Sequence, residues 1–181
     1  MGKLHAPIPA KLFIGMISRD RGLFQTCAER LAGTFGPVDI QSEVLPWEHS
    51  DYYQDEMGTD LCRMFIFFER LIDPGDLSRI KRHSMQLEEE LSSMMASTSQ
   101  RKVNLDPGYI TEAKVVLATT MDFPHRIYIG EGIYAESTLH YSKDSGTYIA
   151  VDHTYPDFRS QYSRDLFNKA RDKLRTALRG E

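Results

Sequence analysis

The sequence has few cysteines and no long hydrophobic run. Cys27 and Cys62 form no C-x-x-C pair, so neither a zinc motif nor a disulfide framework is indicated. Both cysteines lie within apolar patterns, which predicts free, buried thiols in a reducing compartment. No apolar segment approaches the roughly 20 residues that span a bilayer, and the N-terminus has no apolar signal segment. These absences predict a cytoplasmic protein without a membrane partner.

Basic residues are also not in excess. The chain has 22 Lys and Arg against 26 Asp and Glu, a formal net charge of −4. Because nucleic-acid-binding domains usually carry a basic excess, we expect no nucleic-acid partner. Residues 31–62 contain no Lys or Arg but several acids. We interpret this stretch as a solvated loop, with a cation site as the alternative.

Several catalytic and nucleotide-binding signatures are missing. The sequence contains no G-x-x-x-x-G-K-[ST], no G-x-S-x-G and no H-E-x-x-H, which argues against a P-loop, a nucleophile elbow and a zincin helix. Residues 130–135 match G-x-G-x-x-A, but the alternating residues that follow are typical of a strand. A dinucleotide site would need a helix there. We therefore interpret the two glycines as a tight turn or bulge between strands.

Hydrophobic periodicity in the first half predicts the order β-α-β-β-α-β. The predicted strands lie at residues 11–17, 38–45, 61–71 and 102–105, and the helices at residues 23–35 and 74–96. Asp73 followed by Pro74 is a helix-start signal. Residues 46–58 are predicted to form a long loop. This order is that of the ferredoxin-like plan.

The second half is predicted to be rich in strands and to end in an amphipathic helix. The strands lie at residues 115–119, 126–129, 133–141 and 147–151, and the helix covers residues 162–178. The fold class is therefore α+β, with a mixed or mostly antiparallel sheet packed by helices. Residues 1–181 are expected to form a single domain, with residues 1–8 as a candidate disordered segment.

One hairpin can be assigned a register. Gly146 after Lys143-Asp144-Ser145 suits a three-residue loop closed by a left-handed glycine. In that register Leu139 faces Ile149, and Glu136 faces Asp152. Two adjacent carboxylates require a cation, a neighbouring arginine such as Arg126, or a shared proton. The alternatives are solvated strand edges or a register shifted by two residues.

Two further segments carry candidate functional residues. Asp106, in NLDPGY, is interpreted as the end of a strand followed by a turn. Asp157 is interpreted as the N-cap of the last helix, and Arg159 as a fork for a phosphate or carboxylate. His125, His140 and His153 match no standard metal spacing.

Eight stretches of the chain carry a resemblance to a known family. They are PAKLFIGMIS, FGPVDIQSE, DYYQDEMG, FFERLIDPGDL, VNLDPGY, KVVLAT, HRIYIGEGIYAE and TYPDFR, between Pro9 and Arg159. The sequence resembles the bacterial family catalogued as domain of unknown function four-four-one-six. Some members carry the automatic label GTP-binding protein. This chain lacks both the P-loop and the N-K-x-D guanine motif, so its residues give that label no support.

The leading functional hypothesis is a small-molecule site in the C-terminal half, either binding or acid–base enzymatic, for an anionic and plausibly phosphorylated ligand. The candidate acid–base residues are Glu136, Asp152, Asp106 and His125. The candidate ligand-binding residues are Arg126, Arg159, Tyr109, Tyr128, Tyr134 and Tyr155. A divalent cation held by Glu136 with Asp152 or Asp106 stays open.

The alternative is an interaction module without chemistry. It would use the acidic aromatic loop 47–58, which contains Trp47, Tyr52 and Tyr53, because aromatic residues are enriched at interface hot spots.

Overall fold

The structure, a computed structural model, describes residues 2–48, 53–94 and 101–180. The strands are β1 (Ala10–Ser18), β2 (Val38–Gln41), β3 (Leu45–Pro46), β4 (Cys62–Ile72), β5 (Asn104–Ile110), β6 (Lys114–Thr119), β7 (Ile127–Gly130), β8 (Ile133–Ser142) and β9 (Thr147–Ala150). The helices are α1 (Gly22–Phe35), α2 (Gln54–Met57), α3 (Leu77–Met94), α4 (Pro156–Arg159) and α5 (Gln161–Arg179).

All strand pairs are antiparallel, and they form one sheet in the order β2-β4-β1-β5-β6-β8-β7, with β3 on β4 and β9 on β8. The first four positions have the ferredoxin-like order, as the sequence predicts. One core lies between this part of the sheet and helices α1 and α3. The apolar repeats of the two helices supply it, for example Leu31 and Leu87, because residues three or four apart share a helix face.

A second core lies on the opposite face of the sheet, under α5. Its centre is a group of phenylalanines in which Phe13 lies 5.1 Å from Phe167 and Phe65 lies 5.3 Å from Phe158, between ring centroids. The α5 stripe that contains Leu174 packs against them. The predicted α+β class and the terminal amphipathic helix are confirmed.

Element boundaries differ from the predictions in several places. The predicted strand 38–45 is two short strands, β2 and β3, and the predicted loop 46–58 contains the short helix α2. Asp73 caps the predicted second helix by accepting from Gly75 N–H at 2.8 Å, but its first turn is a 3-10 helix. Residues 95 and 96, the predicted end of that helix, lie outside the described residues.

The β8–β9 hairpin differs from its predicted register by one residue. Ser142 pairs with Thr147, and Leu139 pairs with Ala150 rather than Ile149. The loop holds four residues, and Gly146 ends it with φ +66° and donates its N–H to Ser142 at 2.9 Å. One additional loop residue shifts the pairing of the whole strand. The predicted opposition of Glu136 and Asp152 is therefore wrong.

The glycine pair between β7 and β8 forms a turn, as predicted. Gly130 pairs with Ile133, so Glu131 and Gly132 are the two loop residues. Both have positive φ, 56° and 77°, which is the conformation of a type I′ hairpin turn. A strand follows the turn, so the segment lacks the helix of a dinucleotide site.

Two smaller expectations can be compared with the structure. Cys27 and Cys62 are buried and free, and burial raises the pKa of Cys27 to about 12. In the described part of the chain, no helix has both the length and the apolar composition needed to cross a membrane.

Candidate functional site

A pocket opens where β5 and β6 separate. The two strands pair only from Gly108↔Leu117 to Ile110↔Val115, and Pro107, just before the first pair, has no N–H to donate. The first residues of β5 and the last residues of β6 therefore diverge and leave a pocket of about 240 Å³. Its wall is formed by Ile17, Trp47, Tyr53, Arg63, Asp106, Leu117, Ala118, Thr119, Met121, Phe123, Tyr155, Pro156, Asp157 and Phe158.

The charged part of the pocket is built around Arg63 of β4. Its guanidinium lies across Gly15 of β1, where a Cβ atom would be 2.5 Å from Nη2. Only glycine leaves room for this path. From there Arg63 Nε lies 3.2 Å from Asp157, and Nη1 lies 3.6 Å from Asp106. Its Cζ is 4.5 Å from the centroid of the Phe65 ring.

Asp106 is an ionised carboxylate at neutral pH. Burial opposes its ionisation, but Lys81 and Arg63 outweigh burial and hold the pKa of Asp106 below its usual value. Lys81 Nζ lies 3.2 Å from one carboxylate oxygen, and Asn104 donates to the other at 2.5 Å. The prediction that Asp106 ends a strand before a turn is wrong, because Asp-Pro-Gly lies inside β5. Asp106 lines the pocket from within this strand.

Arg63 and Asp157 are pocket residues that the sequence analysis did not assign to a site. The cap of α5 is Ser160, whose hydroxyl accepts from Ser163 N–H at 3.0 Å, so the N-cap role predicted for Asp157 is wrong. Asp157 is instead buried within α4. Arg63 had a recognisable signal, because it is the lone charge in the apolar run LCRMFIFF.

Aromatic side chains form much of the remaining wall. The Trp47 and Tyr53 rings are 6.4 Å apart, and both residues are only partly exposed. Burial raises the pKa of Tyr53. Burial also raises the pKa of Tyr155, although Arg126 opposes the rise. These phenols therefore stay protonated at neutral pH. Tyr52, the third aromatic of the loop, lies outside the described residues.

A second polar cluster adjoins this wall. Arg126 Nε donates to Glu136 Oε2 at 2.7 Å, and both side chains are buried. Its Nη2 donates to the Tyr155 hydroxyl at 2.7 Å, and its Nη1 to the Met121 carbonyl at 3.2 Å. The Phe123 ring lies 4.5 Å from Arg126 Cζ. Tyr155, Met121 and Phe123 thus belong both to the pocket wall and to the surroundings of Arg126.

Two histidines complete the second cluster. His125 Nε2 is 3.2 Å from Glu136 Oε2, and the His125 and His153 rings stack with centroids 4.2 Å apart. His153 Nε2 lies 3.1 Å from the Ser137 carbonyl oxygen. His140 is exposed on β8 and lies outside this cluster.

Comparisons with known proteins place the chain in a family. The family model described as domain of unknown function (DUF4416) matches residues 8–174. The chain belongs to this family. The resemblance seen in the eight sequence stretches is thereby confirmed. No curated protein and no solved structure matches the chain. The description of the family names no activity.

Asp152 and Arg159 are two further predicted site residues; Asp152 lies in the turn after β9, and Arg159 is the last residue of α4. Arg159 donates to the carbonyl oxygens of Thr154 at 2.7 Å, Val151 at 2.9 Å and Asp152 at 2.8 Å. The Asp152 residue itself is exposed. Arg159 therefore stabilises the turn between β9 and α4 through these hydrogen bonds. His153 lies in the same turn.

Three predicted tyrosines do not line the pocket. Tyr128 is exposed on β7, and its hydroxyl accepts from Gly132 N–H at 3.3 Å. Tyr134 lies beside it, with ring centroids 5.4 Å apart. Tyr109 packs against the small apolar cluster that contains Val116. Of the ten predicted site residues, Asp106 and Tyr155 line the pocket, and Arg126, Glu136 and His125 form the adjoining cluster.

Proposed function

We propose that the chain binds a small, ring-bearing organic molecule in the pocket between β5 and β6. One observation carries this proposal: Asp106, Asp157 and Arg63 meet among aromatic side chains at one opening. Charged groups are costly to bury. A largely apolar pocket with a few convergent polar groups is the usual form of a small-molecule site.

The charge of the wall favours a neutral or cationic ligand. Two carboxylates and one guanidinium line the pocket, so acidic side chains outnumber basic ones in the wall, and Lys81 pairs with Asp106 without being part of the wall. Asp106 and Asp157 would accept hydrogen bonds from an amine or hydroxyl of the ligand. The faces of Trp47 and Phe123 would contact its ring. In an acid–base reaction, the same carboxylates would be the proton acceptors.

An anionic ligand is the second candidate. Among the residues the structure describes, Arg63 Nε and Nη1 have no hydrogen-bond partner, although they lie near carboxylates. A ligand carboxylate or phosphate could pair with the Arg63 guanidinium, which belongs to the pocket wall. The arginines that the sequence suggested for this role are engaged elsewhere: Arg126 with Glu136, and Arg159 with three carbonyl groups.

An interaction module formed by loop 47–58 has less support. Its Trp47 and Tyr53 side chains line the pocket and pack against the apolar cluster of Ile17, Met57 and Leu61. A hot spot for a protein partner would need these rings at the surface.

Four probes with a common ring and different charges test the proposal. Benzylamine is a cation, benzyl alcohol is neutral, and benzoate and benzyl phosphate are anions. Calorimetry should rank benzylamine first. Asp157→Asn should weaken benzylamine binding roughly 10-fold or more, because a hydrogen bond to a charged group contributes about 1.5–3 kcal/mol. Melting curves confirm that the variant is folded.

A matched pair of aromatic variants locates the binding. Phe123→Ala removes a pocket ring and should weaken every probe that binds. Tyr128→Ala removes an exposed ring outside the pocket and should leave all affinities unchanged. If benzyl phosphate binds most tightly, the anionic candidate replaces the cationic one. If none of the four probes binds at millimolar concentration, the pocket is not a ligand site.

A further inference from the structure

The cluster beside the pocket has the composition of a metal centre. His125 lies in the turn before β7, Glu136 in β8, and His153 in the turn after β9. One potential ligand atom from each of the three lies within 4.8 Å of the others. Continuing the observed β8–β9 register beyond Leu139↔Ala150 brings position 153, rather than 152, level with Glu136. The observed register therefore places His153, rather than Asp152, level with Glu136.

We propose that His125, Glu136 and His153 bind one divalent transition-metal ion. Ligands at roughly 2.0–2.2 Å from a tetrahedral ion are about 3.5 Å apart, so modest rotations of the side chains would close the site. Two imidazoles and one carboxylate suit zinc, iron(II), cobalt or manganese, whereas magnesium and calcium prefer oxygen ligands alone. The proposal is independent of the small-molecule proposal because it uses different atoms.

The first supporting observation is an oxygen without a partner. Glu136 Oε2 accepts from Arg126, but Oε1 is buried and accepts no hydrogen bond from any residue in ranges 2–48, 53–94 and 101–180. Buried carboxylate oxygens in proteins are almost always hydrogen-bonded or bound to a cation. The ion pair with Arg126 leaves Oε1 without a partner, and a metal ion bound by this carboxylate would supply one.

The second observation is that two of the three proposed ligands, His153 and Glu136, already form hydrogen bonds that fix their positions. A carbonyl oxygen only accepts, so the His153 Nε2–H donates to Ser137 at 3.1 Å. In the neutral ring this leaves the lone pair on Nδ1 free for a metal. Metal-binding histidines almost always donate their second N–H in this way, and the ligating carboxylates are themselves hydrogen-bonded. Arg126 fulfils the second requirement for Glu136.

The exposure of the cluster fits a site that exchanges its ion with solvent. Glu136 is buried, whereas the His125 side chain is 30% exposed. Three protein ligands would leave at least one coordination position of the metal for water or a further ligand, as in catalytic rather than structural sites.

Metal titration of the chelator-stripped protein tests the proposal. Calorimetry with Zn²⁺ should give one ion per chain, and Co²⁺ should give the visible absorption of a nitrogen- and oxygen-ligated ion. His153→Ala should weaken Zn²⁺ binding by more than the roughly 10–100-fold that is typical of losing an outer-shell partner. His140→Ala, which removes an exposed histidine of β8 outside the cluster, is the matched control and should bind normally.

A second ligand variant separates metal loss from unfolding. Glu136→Gln could disturb the fold through Arg126, so His125→Ala is the better choice because this side chain is partly exposed. It should keep the wild-type far-ultraviolet spectrum and lose Zn²⁺ affinity. The proposal is overturned if the wild-type protein binds neither ion at millimolar concentration. It is equally overturned if His125→Ala and His153→Ala both bind Zn²⁺ as tightly as wild type.

Discussion

At the scale of single residues, the molecule keeps several charged side chains in its interior. Lys81 and Arg63 are almost fully buried, and both approach Asp106, one from α3 and the other from β4. Removing one member of a buried ion pair leaves the others without compensation. Asp106 links these two cations, so its removal should be felt in stability as well as in ligand binding.

Asp106→Asn should lower the free energy of unfolding at pH 7 by about 3 kcal/mol, as breaking a buried ion pair does. The folded pKa of Asp106 is lowered, so its contribution is present above the unfolded pKa of roughly 3.9 and is lost as pH falls through the lowered folded value. The difference between wild type and variant should therefore be constant near neutrality and shrink below about pH 4.

Urea unfolding at a series of pH values measures this difference. Asp152→Asn, which changes an exposed carboxylate, is the control and should stay within about ±0.5 kcal/mol of wild type. A difference that grows as the pH falls below 4 would contradict the assignment of Asp106 as the ionised partner.

At the scale of elements, β5 departs most from an ordinary strand. It lies between β1 and β6, yet it contains two consecutive residues that are unfavourable in a strand, Pro107 and Gly108. A Cβ atom on Gly108 would lie 2.3 Å from the Val116 carbonyl oxygen and 2.4 Å from the Phe13 ring. The pairing of β5 with β6 starts at Gly108 and does not extend to Pro107. Gly108 allows the close approach of the strands at this first pair.

Gly108→Ala should therefore destabilise the protein by roughly 1–3 kcal/mol or more, because overpacking against the backbone forces it to move. Gly33→Ala provides the comparison, since a Cβ atom there meets nothing within 4 Å and Gly33 lies in α1. That change should stabilise the protein by about 0.5–1 kcal/mol, the usual helix penalty of glycine. Equal melting temperatures for the two variants would contradict the close contact at Gly108.

Local patterns predicted the elements better than the site. Helices α1 and α3 each have an apolar repeat in their own sequence, which includes Leu31 in α1 and Leu87 in α3. Both helices could therefore be identified from the sequence. The partners of Arg63 come from β5 and α4, which only the tertiary fold brings to β4. Asp-Pro-Gly suits a turn by its local chemistry, but β1 pairs with it as a strand. The hairpin register was missed because one additional loop residue changes every pair.

At the scale of the whole molecule, one antiparallel sheet runs from the ferredoxin-like half into the β-rich half. The pocket lies at the junction, since β5 belongs to the first half and β6 to the second. The β7–β8–β9 group beyond it carries the histidine and glutamate cluster. Both proposed sites therefore use residues that the second half adds to the ferredoxin-like arrangement.

The same organisation argues against a nucleotide site of the Walker type. The sequence has no P-loop, and the turn that contains Gly130 and Gly132 joins two strands. We predict no tight magnesium-dependent binding of GTP, because within residues 2–48, 53–94 and 101–180 no glycine-rich loop opens a helix to receive the phosphates. Calorimetry with GTP and Mg²⁺ measures this, and micromolar affinity would refute the prediction.

An NMR titration of the protein with benzylamine tests directly whether a ligand binds in the pocket between β5 and β6. Benzylamine should cause saturable shifts concentrated on the backbone amides of Ile17, Leu117, Ala118 and Thr119, which line the pocket, and should bind much more weakly to Asp157→Asn. Shifts scattered over the surface, or the same saturable shifts in Asp157→Asn, would contradict this prediction.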